Sequence, residues 1–406
     1  MRSWLWAAAT VTTMTACGGD TERGIKSDSR DATDATTTTA TDATGDVAPE
    51  TETVQTALPN ACDAERTCQK GACRAGVCVE DPPPSLVSHA TNPEGNVPTD
   101  TWPDLSCVDQ ISSAIVAAPQ TATLYGAVTR FGKGRATDGI TVEVLRLTDF
   151  DPTSCEGLTD EDEVKACFRG LGPVVGTTKS VKPPTDVALP DVCKEHEECP
   201  IGYQCNDPAD LGGECVTDFG LFEIAEVPLE TPLVIRAFAT TNESNWHDTW
   251  TFNVVLHGSH VVDGRIQFDA TMVSHGQWLL VTNTVSLPEI PPTHGAIGGR
   301  IRDCRMVAGE DGWPIANVRL ALANPAKKIV YFNDLEDDTV PLVDRAATDI
   351  IGRYAALDVE PGWNRVAGAA RVDGQVVSVG GADVYVIPNA LSLVSFPGTQ
   401  PYWRQR

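Results

Sequence analysis

Cysteine sets the terms on which this chain can fold. Two groups, Cys62-x5-Cys68-x4-Cys73-x4-Cys78 and Cys193-x5-Cys199-x5-Cys205-x9-Cys215, sit in segments with almost no other apolar residue. Segments of that kind cannot bury a core, and hold a shape only when stapled by disulfides or by a metal. Zinc is disfavoured because neither group contains a tight Cys-x2-Cys pair. Gly71 and Gly76 in the first group, and Gly212 and Gly213 in the second, supply the turns. The full sequence holds 13 Cys, a number that points to an oxidising compartment and, being odd, leaves one sulfur to assign.

The N-terminus offers an assignment. Met1-Arg2-Ser3-Trp4-Leu5-Trp6 leads into a short apolar stretch of small residues, the pattern of a secretory signal and too short to span a bilayer. Met14-Thr15-Ala16-Cys17 then resembles the lipobox of bacterial lipoproteins. That resemblance implies that Cys17 carries a diacylglycerol, and Gly18-Gly19 in place of an aspartate implies sorting to the outer membrane. Residues 17–60 are mostly Asp, Thr, Ala, Gly and Glu. With no large side chain to bury, they are expected to form a disordered, self-repelling tether of roughly 35 Å or more. The net charge of −26 argues against nucleic acid as a partner, since phosphates would be repelled.

With Cys17 set aside, an even set remains. Three connectivities are open within each group, of which the alternating one is the expectation: Cys62–Cys73 with Cys68–Cys78, and Cys193–Cys205 with Cys199–Cys215. Both groups resemble the Dickkopf N-terminal or EGF-like cysteine-rich modules of bacterial surface proteins. Cys155 and Cys167 bracket an acidic run that reads as a short disulfide-closed helix, with Thr159 and Asp162 as a capping box and calcium binding as the competing reading. Cys107 and Cys304 then pair by elimination.

The rest of the chain alternates apolar and polar residues with turn signals between, the pattern of antiparallel β-sandwiches. It does so twice. Leu124-Tyr125-Gly126-Ala127-Val128 is followed by Asp138-Gly139-Ile140-Thr141-Val142, and later by Gly220-Leu221-Phe222. Ile297-Gly298-Gly299-Arg300-Ile301 is followed by Pro314-Ile315-Ala316-Asn317-Val318, and later by Thr348-Asp349-Ile350-Ile351-Gly352-Arg353-Tyr354. The longer separation in the first copy is filled by the Cys155–Cys167 loop and the second cysteine group, and loop closure tolerates such inserts because its entropy grows slowly with length. These residues resemble the carboxypeptidase regulatory-like domain, a transthyretin-like sandwich that is a non-catalytic appendage in its family. The resemblance implies a scaffold or binding role and carries over no catalytic residue.

The expected architecture is therefore mainly β: two antiparallel transthyretin-like sandwiches with small disulfide-rich modules and a disordered N-terminal tether. Its order is a signal at 1–16, the tether at 17–60, a cysteine-rich module at 61–80 and a linker at 81–106. The first sandwich follows at 107–245 with a second module inserted at 190–216, then a connecting β segment at 246–293 and the second sandwich at 294–395. No His-Glu-x-x-His, Gly-x-Ser-x-Gly, Walker A or Gly-x-Gly-x-x-Gly motif occurs. The expectation is a non-enzymatic, outer-membrane-anchored lipoprotein with a structural or binding role, using no cofactor. Its partners would be the membrane, through the lipid, and an unidentified protein or glycan. Two alternatives rest on one region. His247, His257, His260, His275 and His294 are candidates for a zinc or copper site. Trp246, Trp250 and Trp278 could instead form a face that stacks on a sugar ring.

Overall fold

The computed structural model of the chain describes residues 58–91, 102–108, 120–131, 137–184, 188–190, 193, 199–200, 203–205, 215–216, 219–305, 312–334 and 339–396. The signal, Cys17 and the tether up to residue 57 lie outside the described residues, as does most of the second cysteine module. What is described is mainly β.

The first repeat closes on itself. Strand Thr121–Phe131 pairs antiparallel with Gly220–Pro228 on one side and parallel with Arg265–Gln267 and Ala270–Ser274 on the other. From Ala270–Ser274 the ladder runs through Trp246–Val254, Leu233–Ala239, Ile140–Arg146 and Val174–Lys179. A bridge between Val181 and Leu221 returns it to Gly220–Pro228. Alternation sends Ile140, Val142, Val144, Ile235, Phe222 and Leu124 to the inside of the ring. Among the described residues this return shields strand edges that would otherwise stand open to pairing.

Residues 246–293, expected as a connection, are therefore largely part of the first repeat. They supply the strands Trp246–Val254 and Ala270–Ser274, without which the ring would stay open. The repeat does not end at residue 245, because pairing with Thr121–Phe131 continues to Val273.

The second repeat is a two-layer sandwich. One layer orders Ala390–Leu393, Gly295–Arg300, Arg353–Val359, Lys328–Phe332 and Pro341–Leu342; the other orders Arg319–Leu322, Gly362–Val372 and Gln375–Val386. Asp373 and Gly374, both at positive φ, make the two-residue turn between the last two strands. Between the layers lie Ile297, Tyr354, Ala356, Leu320, Val366 and Val384. The alternate residues Ala296, Ala355, Leu357, Val330 and Phe332 face outward and meet Trp278 and Val281 of a helix, His275–Thr284. Strand Arg353–Val359 is consequently buried along its whole length.

Both repeats share a register. Gly126 stands opposite Phe222 and Gly299 opposite Tyr354, and each strand pair slips at the corresponding position four residues earlier. At that slip Glu226 and Asp358 both take φ 58, one extra residue in each strand held in the left-handed region. Each glycine is also required in the same way. A Cβ at Gly126 would collide with the carbonyl oxygen of Phe268, and one at Gly299 with that of Val394, where the last strand of each repeat crosses the first.

The strand Ala390–Leu393 joins the two units. It pairs parallel with Asp248–Thr251 on one side and with Ala296–Gly298 on the other, so one sheet runs through both repeats. Beneath that junction Phe150 packs edge-on against Trp250, Phe252, Trp363 and Tyr385, at ring separations of 5.9, 5.3, 6.0 and 5.6 Å. Side chains of this size each contribute about 1.5–3 kcal/mol on burial, and more in edge-to-face geometry.

The N-terminal cysteine module is a hairpin, Ala72–Arg74 with Val77–Val79, stapled by Cys62–Cys73 and Cys68–Cys78. Its Val77 and Val79 pack on Ala323, Ala367 and Ala369 of the second repeat. The expected linker that follows is instead packed as far as it is described. His89–Ala90 pairs with Ile315–Ala316, Ser88 and Ala90 are fully buried, and Arg371 donates to the Pro82 carbonyl. Cys107–Cys304 pins the chain to the same repeat a second time.

Candidate functional site

The five histidines occupy three places. His247 is buried on strand Trp246–Val254, with Nδ1 3.2 Å from the Asn389 carbonyl oxygen and Nε2 3.2 Å from Nδ1 of His275. A carbonyl only accepts, so Nδ1 carries the proton, and Nε2 takes a hydrogen bond from His275. The indole of Trp278 stacks on this imidazole at 4.3 Å. Burial pushes the His247 pKa down and the neighbouring His275 adds to this, against an upward pull from the Asn389 carbonyl and Asp248. His257 donates from Nδ1 to Glu230 at 3.0 Å, and His260 lies beside it with ring centres 5.9 Å apart. His294 meets Asp358 at 2.5 Å, and Lys327 reaches the other oxygen of that carboxylate at 3.2 Å.

These places do not combine into one site. Among the described residues, the groups of three potential ligands close enough to share an ion are Cys62, Cys68 and Cys78, and Cys193, Cys199 and Cys215. Their sulfurs are committed to disulfides. Cys199 bonds Cys215, whereas the Cys193–Cys205 pairing rests on the Cys205 side chain, outside the described residues. The tryptophans give no stacking face either: Trp246, Trp250 and Trp278 are 8%, 1% and 6% exposed and belong to cores.

A cleft of about 230 Å³ opens elsewhere, where the insert of the first repeat meets the second. The insert is a hook. Cys155–Cys167 closes it around α1, Glu161–Arg169. The helix is capped one residue later than the Thr159 capping box predicts: Asp160 accepts from the Glu163 amide at 3.0 Å. Acids in the first turn then suit the positive end of the helix dipole. Val164 and Phe168 point inward, and Arg169 locks the last turn to Asp248 at 2.7 Å and Glu243 at 3.0 Å. Arg236 beneath it pairs with Glu143 and donates to the Phe168 carbonyl at 2.7 Å.

The cleft has an apolar floor of Val164, Phe168 and Tyr385, proline walls at Pro292, Pro361 and Pro388, and an acidic rim at Glu156 and Glu161. Tyr385 is 2% exposed, and burial pushes its phenol well above the usual range, helped by the nearby Glu156 carboxylate. Among the described residues no Lys or Arg lines the cleft. Sequence reasoning found the disulfide bracket but not this site, because its other walls come from three turns distant in the chain.

No family model matches the chain, and no curated protein matches it. Among solved structures it is similar to the shaft pilin SpaA of Lactobacillus rhamnosus GG, at 12% identity and a TM-score of 0.17 over 68% of this chain and 96% of that one. A minor pilin of Streptococcus agalactiae is similar at 10% identity and a TM-score of 0.18, over 68% and 94%. A fimbrial protein of Bacteroides ovatus follows at 8% identity and a TM-score of 0.14, over 70% and 50%. Among the described residues no helix is long and apolar enough to cross a membrane.

Proposed function

We propose that this chain is an exported lipoprotein, anchored in the outer membrane through Cys17, that acts as a structural and binding part of the cell envelope rather than as an enzyme. The observation that carries the reading is its disulfide build: every described cysteine side chain is bonded, including the long-range pair Cys107–Cys304. Such a protein matures where thiols oxidise. The continuous sheet through both repeats and the packing of residues 82–91 on the second one suit a body that transmits load and presents a surface. The cleft suits recognition, since its floor is apolar and its polar groups are few.

Metabolic labelling with a fatty-acid analogue, followed by mass spectrometry of the mature N-terminus, tests the anchor. The label is expected on the wild type and absent from Cys17→Ser. A mature protein whose Cys17 is unmodified, or a Cys17→Ser variant that still carries label, overturns it.

A further inference from the structure

We propose that the cleft beside the disulfide hook binds an alkyl-ammonium or guanidinium group on an apolar stem, the chemistry of a lysine or arginine side chain. Three observations converge on that ligand. The first is size: about 230 Å³ corresponds to roughly eight water volumes, enough for one long side chain and too little for a sugar chain or a folded peptide.

The second is the floor. Phe168 and Tyr385 bring their rings to 5.9 Å, tilted 45° to each other, with Val164 beside them. An aliphatic stem gains by leaving water here, and a cation gains from the negative faces of the rings. Tyr385 lines the cleft with a side chain that is otherwise almost wholly buried, 2% exposed.

The third is charge. Both ionisable groups on the rim are carboxylates, and among the described residues no cation lines the cleft to neutralise them. Glu161 is held in place by Asn389, which donates to it at 2.6 Å. Glu156 stands exposed on the rim, and its charge adds to the rise that burial imposes on the Tyr385 phenol. Both carboxylates are exposed at the mouth of the cleft, where they repel an anionic ligand and attract a cationic one. The hook keeps this geometry rigid, since Cys155–Cys167 fixes one end of α1 and Arg169 the other.

This deepens the binding role proposed above and rests on it only for its setting, so the anchor and the cleft are tested by different readouts. The full chain is titrated by calorimetry with four probes: acetyl-Gly-Lys-Gly-amide, acetyl-Gly-Arg-Gly-amide, the neutral isostere acetyl-Gly-norleucine-Gly-amide, and free 1,5-diaminopentane. The cationic peptides are expected to bind about tenfold more tightly than the norleucine peptide, with the advantage shrinking as salt is raised. Glu156→Gln is expected to weaken them about fivefold while leaving the norleucine peptide unchanged. A peptide that binds more tightly than the diamine assigns the ligand to a polypeptide partner, and the reverse order assigns it to a free amine. Equal binding of lysine and norleucine peptides, or no binding by any probe, overturns the proposal.

Discussion

Two residues show how this chain uses buried charge. His247 is buried, and its pKa lies below the ordinary value of 6.5. Above that pH both the folded and the unfolded chain hold it neutral, and it makes no contribution to pH dependence. As the pH falls through 6.5 the unfolded chain takes up a proton that folded His247 does not, so stability drops, by at most about 1.4 kcal/mol per pH unit for this group. His247→Gln keeps a donor toward Asn389 but does not titrate. Unfolding in denaturant at mildly alkaline and mildly acidic pH should show a smaller loss for the variant, and parallel pH profiles would sink the assignment. Asp349 works in the opposite way. Fully buried in its turn, it accepts from the amides of Ile351 at 3.1 Å and Arg353 at 2.7 Å, and from Arg353 Nε at 2.6 Å. Asp349→Ala strands a buried guanidinium, which costs about 3–5 kcal/mol by denaturant unfolding. A loss within the range of ordinary surface substitutions would show that water reaches the site.

At the scale of elements, the helix in the hook separates what is local from what is not. Its place between Cys155 and Cys167 is legible from the acidic run, but its start depends on which oxygen reaches a free amide, and Asp160 rather than Thr159 does so. Asp160→Ala should therefore cost about 1 kcal/mol and Thr159→Ala within about half a kcal/mol of nothing. Hydrogen exchange at the Glu163 amide reads this directly, because the cap protects that group; equal effects of the two variants would count against the assignment. Strands were legible for a similar reason. Alternation is written into Ile140–Arg146, and Gly126 and Gly299 mark the places where a third backbone crosses. Partner choice is not written locally, so the membership of Trp246–Val254 in the ring escaped the sequence. The same strand scattered the histidines, since His247 lies near its start and His257 three residues beyond its end, and the stretch from His247 to Val254 alone covers about 23 Å at the rise of a strand. The strap over 81–91 was misread because prolines look like a linker, and its two-residue strand is too short to show a period.

At the scale of the molecule, the question is how many things this chain is. The sequence shows two repeats and a module, which suggests three bodies joined by linkers. The structure couples them: the repeats through Ala390–Leu393 and the aromatic cluster around Phe150, the module through Val77 and Val79, and the segment between module and first repeat through Cys107–Cys304. The disulfide closes a separation of 197 residues, so in the chain-entropy picture its loss costs about 5 kcal/mol, against about 3 kcal/mol for the 12-residue span of Cys155–Cys167. Paired cysteine-to-alanine variants compared by denaturant midpoint should keep that order. The shared sheet makes a stronger demand. Chains of this length usually melt domain by domain, because interfaces between domains are small and polar. Here melting either repeat alone would strip one edge of Ala390–Leu393 and expose half of the aromatic cluster. Calorimetry of the wild type should therefore show both repeats unfolding in one transition. Ser392→Pro breaks the ladder on both sides, because Ser392 stands opposite Trp250 in one neighbour and Ile297 in the other. That variant should divide the transition in two, and a wild type that already melts in two steps would mean that the last strand sits between the repeats without coupling them.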